Sequence, residues 1–294
     1  MNSLPYKIHL SLCTALLFCV LPSHAATLPG HPALSILIIA DEVNPHGLND
    51  AELSQPEDLA PALSASDSGL NTSRVITVNS QCADDALTAL QSEQAPDVVL
   101  YFAHRAALSC DGENAQPALT RFLEEGLKSG LGIVVLHHGL YVDFINRGAK
   151  AELLHLIGAE SDSIEWNTET GQRVINVAND HFITSNGITY DQKLAFAGTT
   201  EVKAGTYPAF TNVPDELYEI TRLHEVAGES RSPLFVSDSG DPRLLGYVLQ
   251  RNGWSGRVVV YQPGEYQPNA LDNRAGPNFQ ILINALYFAV HGPD

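Results

Sequence analysis

Read for its apolar and polar positions, the chain falls into two textures. Its first half alternates short, mainly apolar, β-branched runs with segments of helical spacing; Gly132–Leu136 is apolar throughout. Leu34-Ser35-Ile36-Leu37-Ile38-Ile39-Ala40-Asp41, Arg74–Asn79, Asp97-Val98-Val99-Leu100-Tyr101-Phe102-Ala103 and Gly132-Ile133-Val134-Val135-Leu136 read as strands. Runs apolar at every position belong to strands buried on both faces. Between them, Pro56–Ser66, Ala83–Gln91 and Pro117–Lys128 carry helical spacing. The last has Leu119, Phe122, Leu123 and Leu127 on one face, Pro117 in its first turn and Gly130 past its end. A further helix is expected from Tyr141 to Ile157. This alternation is the pattern of a doubly wound, mostly parallel α/β sheet.

The second half is choppier. Ser163–Thr168, Gln172–Ala178, Leu194–Ala197, Glu216–His224, Leu234–Ser237 and Leu244–Leu249 are short and strand-like, separated by Asn, Gly, Thr and Pro turns. They suggest a β-rich insertion in the sheet rather than a second domain. Arg257–Tyr261 restores the buried-strand pattern, and Asn278–Val290 reads as a closing helix.

The N-terminus alters the compartment. One positive charge at Lys7, an apolar core from Ile8 to Leu21 and small residues at Ser23 and Ala25 have the form of a secretory signal peptide cleaved after Ala25. The apolar run is too short for a membrane anchor. Export follows, to the periplasm or the medium, and leaves residues 26–294 as one domain. Lys7 is the only charged side chain removed, so a whole-chain charge of −18 becomes −19. Such a balance argues against nucleic acid or anionic lipid as a partner, since both are held through basic patches. Oligomeric state has no signature here. Cys13 and Cys19 leave with the signal. Cys82 and Cys110 remain, each shortly beyond a strand end, and are expected to form a disulfide.

Candidate chemistry gathers at strand ends. In an open α/β sheet, ligands bind outside the carboxyl ends of the strands. Asp41, Glu42 and His46 follow the first strand, and His104 and Arg105 the third. His137 and His138 follow the fourth, and Glu265 and Tyr266 the strand ending at Tyr261. Converging, they would set imidazole, carboxylate and guanidinium in one pocket suited to general acid/base chemistry. His137 would take a proton, and Glu265 or His104 would return one. A divalent metal held by His137, His104 and Glu265 is a second use of the same donors. Trp166, Trp254, Tyr207 and Tyr266 could form a wall for stacking sugar rings. His155, among leucines, reads as a core residue.

Several of these segments resemble the trehalose-utilisation (ThuA-like) family, whose domain is similar to class I glutamine amidotransferases. The likeness lies in Gly130-Leu131-Gly132-Ile133-Val134-Val135-Leu136-His137, Asn179-Asp180-His181-Phe182-Ile183-Thr184, Asp215-Glu216-Leu217-Tyr218 and Gly256-Arg257-Val258-Val259-Val260-Tyr261. It implies a flavodoxin-like, amidotransferase-like sheet and a small-molecule carbohydrate substrate. His181 lies in a polar turn beside Asn179 and Asp180, whose side chains can bond turn amides; it reads first as a structural residue, with substrate contact as the alternative. Three positions depart from the family pattern. Glu265 follows Gly264 where the family has histidine, His138 replaces a small polar residue, and Phe182 replaces proline. Glutaminases carry a cysteine at the elbow occupied here by His137, so thioester chemistry on glutamine is not expected.

Overall fold

A computed structural model describes residues 32–41, 56–142, 147–161, 163–167, 171–212, 215–220, 222–225, 228–238, 243–263 and 276–292. The proposed signal peptide, Glu42, His46, Glu265 and Tyr266 lie outside the described residues.

In chain order the elements are β1 (Leu34–Ala40), α1 (Pro56–Ser64), β2 (Thr72–Asn79), α2 (Asp84–Gln91), β3 (Val98–Tyr101), α3 (Gln116–Ser129), β4 (Gly132–Leu136) and α4 (Arg147–Ile157). There follow β5 (Ala159–Glu160), β6 (Ser163–Asn167), β7 (Arg173–Asn176), α5 (Phe182–Ser185), β8 (Gln192–Phe196), β9 (Gly205–Thr211), β10 (Asp215–Glu219) and β11 (Arg222–Leu223). Last come β12 (Glu229–Ser237), β13 (Arg243–Arg251), β14 (Val258–Tyr261) and α6 (Pro277–His291).

Ten strands make one sheet in the order β2-β1-β3-β4-β14-β13-β12-β7-β9-β8. From β2 to β14 every pairing is parallel. From β14 outward every pairing is antiparallel. Most strands of the second half therefore continue the main sheet, while β6–β10 and β5–β11 pair beside it. The chain leaves β1 toward β2 on one side and resumes at β3 on the other. The gap between the tips of β1 and β3 is thus the point where strand order reverses.

The apolar runs are continuous because both faces of the parallel half are covered. Ile36 and Ile38 of β1, Leu100 of β3 and Val134 of β4 pack under α1 and α6. Leu37 and Ile39, Val99, and Ile133 and Val135 pack under α2, α3 and α4, against Leu119, Leu123, Leu153 and Leu154. Each such side chain contributes about 1.5–3 kcal/mol by leaving water.

Two expectations change. Helix α4 begins at Arg147 and not at Tyr141, because the backbone there is spent elsewhere. Residues His137–Leu140 form one 3-10 turn. Ser161 N–H then donates to the Leu140 carbonyl, and Val142 N–H to the Ser161 carbonyl. Strand β9 escapes a reading of apolar alternation because it holds Gly205 and Pro208.

The 3-10 turn also depends on Gly139. A Cβ there would lie 2.7 Å from Val135 Cγ1 and 2.9 Å from the Tyr101 carbonyl oxygen. Gly139→Ala is expected to destabilise the protein by about 1–3 kcal/mol through overpacking, read as a lower midpoint in urea.

Candidate active site at the strand-order reversal

The tips of β1, β3 and β4 are bound to one another by polar groups. Asp41, just past β1, is buried; its Oδ2 accepts the His104 backbone N–H at 2.7 Å, and its Oδ1 accepts the Ser80 hydroxyl at 2.6 Å. Asp41 thereby sets where the chain after β3 begins its turn. Lys150 of α4 is fully buried, and its Nζ donates to the carbonyls of Ala103 (3.2 Å), His104 (3.2 Å) and Tyr141 (2.9 Å). Among the described residues, three carbonyls thus accept from this one ammonium. One charged side chain therefore ties the end of β3 to the exit of the His137 turn.

Over this brace the imidazoles meet. The His137 and His138 ring centroids are 4.9 Å apart, and those of His104 and His138 are 5.5 Å apart, edge to face. Tyr141 packs 4.5 Å from His104, and Phe102 lies 5.0 Å from His138. The Tyr101 phenol is held neutral, its pKa pushed far up by burial and then by the charge of Asp41. Sequence-distant His104, His137 and His138 are thus brought together, as is Asp41. Arg105 points to solvent from the same turn.

His137 is distinctive in two respects. It is the only non-glycine residue among those described with a positive φ, at 32°. A side chain held there carries local strain, which collects at functional sites. Its Nδ1 also lies 2.9 Å from the Gln262 carbonyl oxygen, just past β14. The Gln262 side-chain amide nitrogen is 3.4 Å from the same Nδ1 and would need it as an acceptor. The two roles exclude each other. The shorter contact decides, since a carbonyl only accepts: Nδ1 carries the proton and, in the neutral ring, Nε2 carries the lone pair. No group of three or more His, Cys, Asp or Glu side chains among the described residues could hold a metal ion.

No protein-family model matches the sequence. No curated protein matches it either. Solved structures do. A ThuA-like protein of Parabacteroides merdae superposes with a TM-score of 0.54 at 13% identity, over 89% of this chain and 91% of the other. A ThuA-like protein of Bacteroides uniformis gives 0.55 at 13% identity, over 89% and 95%. The fold is that of the ThuA-like proteins.

Within that ThuA-like fold, the other sequence candidates are dispersed. His181 packs 4.6 Å from Phe288, next to Ala289, which abuts Gly132 at the start of β4. His137 follows the end of β4, so His181 sits at the opposite edge of the sheet. Its role there is structural: Nδ1 accepts the Ile183 N–H at 3.1 Å and caps α5, and Asn284 of α6 grips α5 through the Ile183 and Asn186 carbonyls. Burial lowers the His181 pKa below its ordinary value. The unfolded chain therefore binds that proton more readily than the folded protein. The stabilisation is complete above the unfolded pKa of about 6.5 and is lost as pH falls through the folded value. Thermal melts from pH 7.5 to 5 are expected to show a falling midpoint, with a shallower fall in His181→Asn, which keeps a capping oxygen.

Of the expected aromatic wall, the side chains of Trp166 and Tyr266 lie outside those described, and the other two stand apart from His137. Trp254 precedes β14, which runs parallel to β4, so it too lies at the edge opposite His137. Tyr207 is on β9, its hydroxyl donating to the Lys203 carbonyl. Nor is His155 a core residue: it is exposed on α4, beside a groove. The leucine-rich face of α4 is formed by Leu153, Leu154 and Ile157, and His155 falls off that stripe. Cys82 and Cys110 stand at bonding distance, Cα atoms 4.1 Å apart, between the turns that follow β2 and β3.

Lys150 and Gln262 are the residues that strand-tip reasoning misses. Lys150 had a signal, since it falls three, four and seven positions before Leu153, Leu154 and Ile157, on the apolar stripe of its helix. Gln262 acts through its backbone carbonyl, which no side-chain pattern announces.

Proposed function

We propose that this protein is an exported enzyme of carbohydrate metabolism. It would act on a glycoside or an oxidised (3-keto) sugar by acid/base hydrolysis, elimination or isomerisation. One observation carries the acid/base part: the Gln262 carbonyl fixes the proton of His137 on Nδ1 and leaves Nε2 as the basic nitrogen, in ring contact with His138. In this reading His137 removes a proton from the sugar, and His104 or Glu265 delivers one to the departing oxygen. Asp41 and Lys150 position His104. Arg105, Glu42, His46 and Tyr266 would contact substrate. A divalent metal would add Lewis-acid polarisation with His137, His104 and Glu265 as its donors, and no step above requires it.

The substrate class rests on the resemblance to the trehalose-utilisation family. Export rests on the N-terminal pattern and is supported by the proximity of Cys82 and Cys110, which suits a disulfide in an oxidising compartment.

A second reading, a non-catalytic sugar- or partner-binding domain, is favoured by one fact. His137 is fully buried, with 0% of its surface exposed. The two are separated by assaying turnover and equilibrium binding in parallel over a panel of glycosides and 3-keto-glycosides, on protein purified without chelator and analysed for metal. Turnover supports the enzyme. Saturable binding with no turnover of any member supports the binding domain.

A further inference from the structure

A groove of about 840 Å³ runs between α3 and α4 and is closed below by the turn that joins β13 to β14. Its volume falls within the ~300–1,000 Å³ of small-molecule sites. We propose that this groove is a second saccharide-binding site, separate from the His137 cluster, that takes a neutral sugar of one or two rings.

Two of the charged side chains in the groove are already engaged. Arg251, buried at its floor, donates to the Leu156 carbonyl (2.8 Å) and the His155 carbonyl (3.2 Å) and lies 3.6 Å from Glu229. Glu124 pairs with Lys128 at 2.6 Å. What remains at the rim is Glu152 and Arg121, the latter with its guanidinium 4.8 Å from the Phe122 ring centroid, one charge of each sign. A locally balanced surface does not attract an ion, and the excess of acidic residues in the chain disfavours anions in general.

The rim chemistry then selects a polyol. Arg121, Glu152, His155 and Asn252 are all exposed there. Guanidinium, carboxylate, imidazole and carboxamide set donors and acceptors side by side, and neighbouring sugar hydroxyls need both at once. Trp254 supplies a half-buried indole in the wall, with Arg251 packed on the ring at 5.0 Å and the exposed Lys128 Nζ, which a sugar would displace, 5.2 Å from its centroid. An aromatic surface beside planar polar groups suits a ring that is apolar on its face and polar at its edge. This proposal does not depend on the reading of His137.

The chain has two tryptophans, Trp166 and Trp254. Trp166→Phe therefore leaves Trp254 as the sole reporter. Titrating that variant with trehalose, cellobiose and lactose is expected to give a saturable change in emission with at least one of them. In wild-type protein the same sugar should shift the amide resonances of residues 228 and 252–254. Adding Glu152→Ala and Asn252→Ala should weaken binding by about tenfold or more, and His137→Asn should leave it unchanged. The proposal is overturned if no sugar of the set saturates either signal. It is equally overturned if the response survives the double substitution but is lost in His137→Asn, or if citrate or spermidine matches the sugars.

Discussion

Lys150→Met is expected to lower the free energy of unfolding by about 3 kcal/mol or more. Methionine fills most of the same volume, so the loss does not come from a cavity. It comes from the carbonyls of Ala103, His104 and Tyr141, which all accept from Nζ in the native protein. A buried polar group deprived of its partner costs about 1–3 kcal/mol, and three are affected together. Replacing a buried charge by an apolar side chain is often harmless when its partners are removed with it. Here the partners are backbone and stay. Urea denaturation measures the loss. The amide resonance of Arg105, next to the released His104 carbonyl, should shift in the folded variant. An unfolding free energy within about 0.5 kcal/mol of wild type, the range of ordinary surface substitutions, would contradict the bracing role.

His137→Asn is expected to lower kcat by about 10²–10⁴-fold on whichever sugar of the panel the wild type turns over. That is the range lost with a positioned general base. Asparagine tolerates the positive φ of this position better than most residues, and its side chain can still hydrogen-bond. It has no nitrogen that exchanges a proton near neutral pH. Stability should therefore change by only about 1 kcal/mol, the worth of one buried hydrogen bond, while turnover collapses. A matched loss of stability and activity would mark His137 as structural instead.

The parallel half of the fold was legible because its physics is local. A strand covered on both faces must be apolar at every position; β3, β4 and β14 are, and β1 departs only at the half-buried Ser35 near its start. Helix α3 announced itself through Pro117 and through Gly130, whose φ of 116° ends the helix. The convergence of His104 with His137 and His138 followed from parallel strands sharing one direction. What escaped depends on partners remote in sequence. The start of α4 was misplaced because Leu140 and Val142 bond with Ser161. His181 carries both a structural and a site reading in the sequence, and only its partners in α5 and α6 separate them. The proton on His137 Nδ1 is set by a carbonyl 125 positions away.

The account stands most directly on the state of three imidazoles, and a long-range ¹⁵N–¹H spectrum of the histidine side chains reads it. It predicts that His137 is protonated on Nδ1 with an unprotonated Nε2 at neutral pH. It also predicts that a 3-keto-glucoside shifts the His104, His137 and His138 nitrogens at one common ligand concentration. A His137 ring protonated on Nε2 alone, or rings unmoved by every sugar the protein binds, would contradict it.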